Sequence, residues 1–162
     1  LRRPVDRCFA STLQTLRLCQ QASNTGIVFM KDAILALPVE QPTLRVVPMP
    51  SDVNQAGDIF GGWVMSQVDI AGGIAAARIA QGRIATVAVN AFQFRHPISV
   101  GDIVSFYGRV TRVGCTSITV EVQVFAERNP FNPVIVKVTE ATLTYVAVNS
   151  DGSKRPLDNS TS

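Results

Sequence analysis

From Thr43 onward the apolar positions fall into short runs of period two and one long stretch of helical period. TLRVVP, residues 43–48, predicts a short strand closed by Pro48 and Pro50. SDVNQAGD follows as a polar loop rich in turn residues. A helix is predicted from about Gly62 to Gln81, with Ala, Met, Ile and Arg, no proline, and Gly82 as its stop. The period then changes to that of strands. Arg83 to Phe94 places Val87 and Val89 on one face and Phe92 and Phe94 in the opposite phase, which predicts a bulge near Asn90. His96-Pro97 breaks the run. Asp102 to Val113 carries Val104, Phe106 and Val110 in register. Thr116 to Ala126 turns Ile118, Val120, Val122 and Val124 one way and Thr119, Glu121 and Gln123 the other. Val134 to Val148 begins on Val134, Val136 and Val138 and changes phase to Ala141, Leu143, Tyr145 and Ala147. Gly114-Cys115 suits a hairpin connection.

The predicted order is strand, one long helix, then four long strands. No second helix separates those four, so a parallel βαβ sheet is excluded and an antiparallel α+β fold is expected. Trp63, Val64, Val68, Ile70, Ala71 and Ile74 cover most of the helix circumference, which predicts a helix buried by a sheet wrapped around it. Residues 59–80 are long enough to span a bilayer. They carry Asp69 and Arg78, however, and each charge near a bilayer centre costs roughly 2.5–3.5 kcal/mol, so a core helix is the better reading.

Residues 1–42 lack this patterning and end in Pro38 and Pro42. They are read as a poorly ordered or non-native extension, with Met30 as the candidate natural start. The folded domain is expected over 43–156, with 157–162 as a tail. Hydrophobic residues make up 46% and charged residues 17%, which selects a folded globular chain over a disordered one. The net charge is +3, but between Thr43 and Asn149 eight basic residues face seven acidic ones. A basic patch on the folded part is therefore missing, and nucleic acid is not expected as a partner. Cys8, Cys19 and Cys115 form no CxxC pair, which argues against a disulfide framework and a zinc site; a reducing cytoplasm is the default expectation. No metal, no cofactor and no membrane anchor are expected.

The chemistry concentrates in NQAGDIFGGWVMSQVDIAGG, residues 54–73. An ionised carboxylate inside a core must be paired, protonated or beside a wet cleft, and Asp69 lies in the middle of the apolar helix. Gly72 and Gly73 follow it, each about 1 kcal/mol worse than alanine in a helix, so close packing or ligand approach must justify them. Gly61 and Gly62 open the helix, where free N–H groups and the helix dipole can hold a carbonyl oxygen that becomes an oxyanion. A thioester bound there, with water held by Asp69, fits these residues.

The segment MPSDVNQAGDIFGGWVMSQVDIAGG, followed by ISVGD and TEATLTYVAV, resembles the acyl-CoA thioesterases of the hotdog fold, in particular the bacterial YciA-type enzymes. The resemblance covers about Leu44 to Pro156. It implies a long central helix wrapped by an antiparallel sheet, dimers formed through the sheets, sites between two subunits, and hexamers built as trimers of dimers. The implied reaction converts acyl-CoA to a free fatty acid and CoA, which enters only as part of substrate and product.

By the same resemblance Asp69 is the general base or nucleophile, and Asn54 positions the thioester or the water from the facing subunit. Gly61 and Gly62 polarise the carbonyl. Phe60 stands where many relatives carry histidine, as it does in the YciA branch. Phosphate contacts for CoA are sought among Arg95, Arg128, Lys137, Lys154 and Arg155. Asp58 is a candidate helix cap. No GxSxG, Walker A or GxGxxG is present, which excludes the serine hydrolase elbow and the common phosphate loops. Two other readings remain at this level: a non-catalytic acyl-CoA binder, and a hotdog hydratase or dehydratase, which would need a histidine beside Asp69.

Overall fold

A computed structural model of the chain describes residues 36–129 and 131–157. The expected Met30 start and most of the expected extension lie outside the described residues. Among the described residues are five strands and one long helix: β1 (Leu44–Val46), α1 (Gly61–Ala80), β2 (Ile84–Phe94), β3 (Ile103–Val113), β4 (Ser117–Arg128) and β5 (Val134–Ala147). A single 3-10 turn, Pro50–Asp52, stands in the segment before α1. The sheet is antiparallel throughout, in the order β1-β3-β4-β5-β2. β1 and β2 are its edges. The α+β class and the helix-on-sheet arrangement are as the sequence predicts.

β4 alternates cleanly, with Ile118, Val120, Val122 and Val124 all fully buried. Its neighbour β5 runs in simple register from Ile118↔Tyr145 to Val124↔Thr139, and the register then shifts so that Phe125 pairs with Lys137. Val138 is the extra residue, and both Val138 and Thr139 are fully buried. This bulge is the physical origin of the phase change read in β5. A second bulge lies between Asn90 and Gln93, with Ala91 in the left-handed region at φ 52°, where β2 was expected to break phase. A third, between Thr86 and Ala88, had no clear signal in the sequence.

The helix packs through Val64, Val68, Ala71, Gly72, Ala75 and Ala76. Its small residues come close to the sheet at Gly108 of β3, where an added Cβ would stand 3.2 Å from Ala71 O and 3.3 Å from Ala75 Cβ. The sheet packs on one side of the helix; Ile70, expected to be buried with the other apolar residues of the helix, is 49% exposed, and Met65 is 46% exposed. The helix end is corrected as well. Gln81, not glycine, takes the left-handed position at φ 47° and returns its N–H to Ala77 O. Gly82 instead makes room for Arg155, whose Nη2 would lie 2.9 Å from a Cβ there. Leu157, assigned to the tail by sequence, packs in the core and donates its N–H to Cys115 O.

The two mid-helix glycines differ sharply. A Cβ added at Gly72 would overlap the Tyr145 hydroxyl and stand 3.1 Å from its Cζ, whereas at Gly73 the nearest atom, Tyr145 Cε1, is 3.9 Å away. Gly73→Ala is therefore expected to stabilise the fold by about 0.5–1 kcal/mol through helix propensity. Gly72→Ala is expected to destabilise it by about 1–3 kcal/mol through overpacking. Thermal unfolding of the two variants side by side checks this; equal shifts would remove the Tyr145 contact as the reason for Gly72.

Candidate functional site

The loop before the helix is folded on itself. Val53 bridges to Ile59, Asn54 N–H donates to Asp58 O at 2.7 Å, and Gly57 turns the chain at φ 91°. The Asn54 side-chain oxygen accepts from the N–H groups of Ala56 (2.8 Å) and Asp58 (3.2 Å). That oxygen is committed to the loop, so the group Asn54 offers outward is its Nδ2 donor. Asp58 lies inside this turn and does not cap the helix. The cap position belongs to Phe60, which supplies no side-chain cap hydrogen bond. Phe60 O accepts from the N–H groups of Trp63 and Val64. Gly61 and Gly62 come before these, at the two helical positions whose N–H groups have no acceptor inside the helix. The helix dipole reinforces their attraction for negative charge. The Phe60 ring lies over Gly62, with Cε1 2.5 Å from the point a Cβ would occupy. Phe94 of β2 lies beside Gly61 at 3.4 Å by the same measure.

Asp69 projects from the middle of the helix, neither buried nor fully exposed. Thr86 Oγ1 donates to its Oδ1 at 2.8 Å. Tyr145 OH lies 3.3 Å from the same Oδ1 and 3.0 Å from Asp69 O. Thr86 and Tyr145 are partners across β2 and β5, so one cross-strand pair presents two hydroxyls to one carboxylate. Thr86 donates to Oδ1 and the single Tyr145 proton is shared between Asp69 O and Oδ1, so Oδ2 is left for a water or substrate. Burial, and secondarily the Asp69 charge, push the Tyr145 phenol well above its ordinary pKa. It therefore stays protonated at neutral pH and acts as a donor.

Neither Thr86 nor the contact role of Tyr145 follows from the sequence pattern. Alternation sets Tyr145 in phase with Ala141, Leu143 and Ala147, and all four are buried. Thr86 stands just before the unexpected bulge, a place where strands re-aim side chains near functional sites.

The cationic candidates divide into two groups. Arg95 pairs with Glu140 at 2.8 Å, and Lys137 reaches the other oxygen of the same carboxylate. The Lys137 hydrogen bond is the chief cause that lowers the Glu140 pKa. Arg95 directly follows Phe94, which places this group at the Gly61 end of the helix. Arg128 lies at the same end but is engaged with Asp102 (3.2 Å) and Pro97 O. Lys154 and Arg155 lie at the opposite end: Lys154 bridges to Val148 and Arg155 Nη2 donates to Ala80 O at 2.7 Å. A 20-residue helix is roughly 30 Å long, so no single subunit brings Arg155 to Gly61. Arg155 caps the helix and Arg128 ties down the strand-end loop; neither side chain stands free. His96, the only histidine, follows β2 and its N–H lies 3.5 Å from Val138 O. Among the described residues, no helix is long and apolar enough to cross a membrane.

Residues 56–130 match the Thioesterase superfamily. The acyl-CoA thioester hydrolase YciA of Salmonella typhimurium is 46% identical over 122 residues, 74% of this chain and 92% of that protein. The YciA of Escherichia coli K12 is 43% identical over 123 residues, 75% and 93% of the two chains. Among solved structures, a hexameric hotdog fold thioesterase of Campylobacter jejuni superimposes with a TM-score of 0.71 at 45% identity, covering 74% of this chain and 91% of that one. A hexameric broad specificity acyl-coenzyme A thioesterase gives the same TM-score at 43% identity, with 77% and 86% covered.

Proposed function

The chain belongs to the hotdog-fold thioesterase superfamily and to its YciA-like acyl-CoA thioester hydrolases, and from that premise we propose that Asp69 is the general base that cleaves fatty acyl-CoA. The observation that carries this reading is the Asp69 carboxylate itself, held on one oxygen by two neutral hydroxyls instead of a cation. Oδ2 takes a proton from a water as the water oxygen attacks the thioester carbonyl. The carbonyl oxygen becomes negative and is stabilised by the open N–H groups of Gly61 and Gly62. The C–S bond breaks, the CoA thiolate leaves, and the proton held by Asp69 passes to it. Products are a fatty acid and CoA. The proposed reaction needs water and the protein's own groups alone.

Asp69 and the glycine turn are seven to eight residues apart on one helix, roughly 10–12 Å along its axis. Two hydrogen bonds of about 3 Å, a water-to-carbon approach of about 3 Å and the C=O bond would span that gap only when stretched in line along the helix, so two facing subunits meet the geometry better than one. We place Asp69, Thr86 and Tyr145 from one subunit opposite Asn54, Gly61 and Gly62 from a second. β2 offers the contact. It is an eleven-residue edge strand with Val87 57% and Val89 45% exposed, an arrangement that invites pairing with another chain. Edge-to-edge pairing of two copies would continue the sheet across a dimer. The hexameric relatives make a trimer of such dimers the proposed assembly. Arg95 and Lys137, near the glycine end, remain the proposed contacts for CoA phosphates.

The test is release of free thiol from a panel of acyl-CoAs of graded chain length. Rapid release from at least one chain length is the expected result and also reads out specificity. An absence of release across the panel, with CoA still bound, would instead support the acyl-CoA binder.

A further inference from the structure

We infer that Tyr145 and Gly72 act together as positioning residues for the Asp69 carboxylate, the glycine making the space through which the phenol reaches it. This rests on the proposed role of Asp69. Tyr145 is 1% exposed and stands on β5, across the core from the helix. Its hydroxyl touches the helix at two atoms of one residue, Asp69 O and Asp69 Oδ1. The backbone contact alone would satisfy a buried phenol. The second contact fixes the side-chain torsion of Asp69 and, with Thr86, decides which carboxylate oxygen faces outward.

Gly72 lies three residues beyond Asp69, one turn along the same helix face. Any side chain there would occupy the position of the hydroxyl. The helix therefore carries a residue unfavourable to its own stability at the one place where the phenol must pass. Gly73, next to it and equally unfavourable, meets only an ordinary contact and serves as a control.

Tyr145→Phe keeps the ring and removes the hydroxyl. The expected result is a kcat lower by roughly 10- to 100-fold, the scale on which a displaced catalytic group loses rate, with KM within about twofold and circular dichroism unchanged. Gly72→Ala, with Tyr145 retained, is expected to lose kcat in the same range, while Gly73→Ala retains wild-type kcat. The double variant Gly72→Ala/Tyr145→Phe is expected to lose no more than Tyr145→Phe alone, because the alanine acts through the hydroxyl. A Tyr145→Phe enzyme with wild-type kcat, in a protein that Asp69→Asn inactivates, would overturn the inference and leave the role of Asp69 standing. Activity retained by Asp69→Asn would remove the underlying reading itself. Should Tyr145→Phe not fold, Gly72→Ala decides: wild-type kcat there overturns the pairing, and a fall in kcat at constant KM supports it.

Discussion

Asparagine at position 69 is expected to lower thiol release from acyl-CoA by roughly 10²- to 10⁴-fold, the contribution typical of a positioned general base. The change is nearly isosteric. A carboxamide oxygen can still accept from Thr86 Oγ1 and Tyr145 OH, so the local hydrogen bonds survive. What is lost is a basic oxygen in the place of Oδ2, where an NH₂ group cannot take a proton from water. Folding and oligomeric state should be unchanged, and KM should stay close to that of the wild type. Steady-state thiol release, with circular dichroism as the control, checks this. Equal rates for the two proteins would require a different base, and no histidine stands ready to replace it in the sequence near Asp69.

The second large effect is expected at the other half of the site. A backbone donor cannot be removed by changing a side chain, except by proline. Gly61 is the first helical residue, where proline is well tolerated. The preceding residue, Phe60, has ψ 129°, the extended conformation that proline prefers before it. A Cβ at position 61 would meet Phe94 at 3.4 Å, an ordinary contact. Gly61→Pro should therefore keep the helix and its melting temperature while deleting one N–H. A loss of about 10²- to 10³-fold in kcat is expected, as for other oxyanion donors. Mixing this variant with Asp69→Asn, after dissociation and reassembly, tests the shared site directly. In a mixed dimer one site pairs an intact Asp69 with an intact Gly61, so activity should return. Two variants that stay inactive in the mixture would place both groups in one subunit and overturn the composite site.

Much of this was legible in the sequence, because alternation records burial. The unbroken phase of β4 and the broken phase of β5 both correspond to side chains that are buried in the structure. Asp69 was legible because a charge in an apolar helix demands a reason. The glycines of the helix start were legible by position. The partners of Asp69 were not. Thr86 and Tyr145 lie 17 and 76 residues away, and nothing in either local pattern says that both turn to the same oxygen. Gly72 could be read as a close approach but not assigned to the tyrosine. The arginines show the same limit from the other side. Charge marks Arg128 and Arg155 as candidate ligand contacts, but it does not reveal that they donate to Pro97 O and Ala80 O, backbone acceptors that have no signature of their own.

The bulge at Val138 has a consequence for how this chain can change over generations. A strand has only two faces, so each inserted or lost residue exchanges them. With Val138 in place, Tyr145, Leu143 and Ala141 line up opposite Ile118, Val120 and Val122. Loss of a single codon between Val138 and Tyr145 would bring Val146 to the place of the phenol, and gain of one would bring Thr144 there; in either case the carboxylate would lose its contact with the phenol although every active-site residue was still encoded. Pairs of compensating indels on either side are the events this strand can absorb. Its length, counted in residues, thus constrains the site as tightly as any side chain in it.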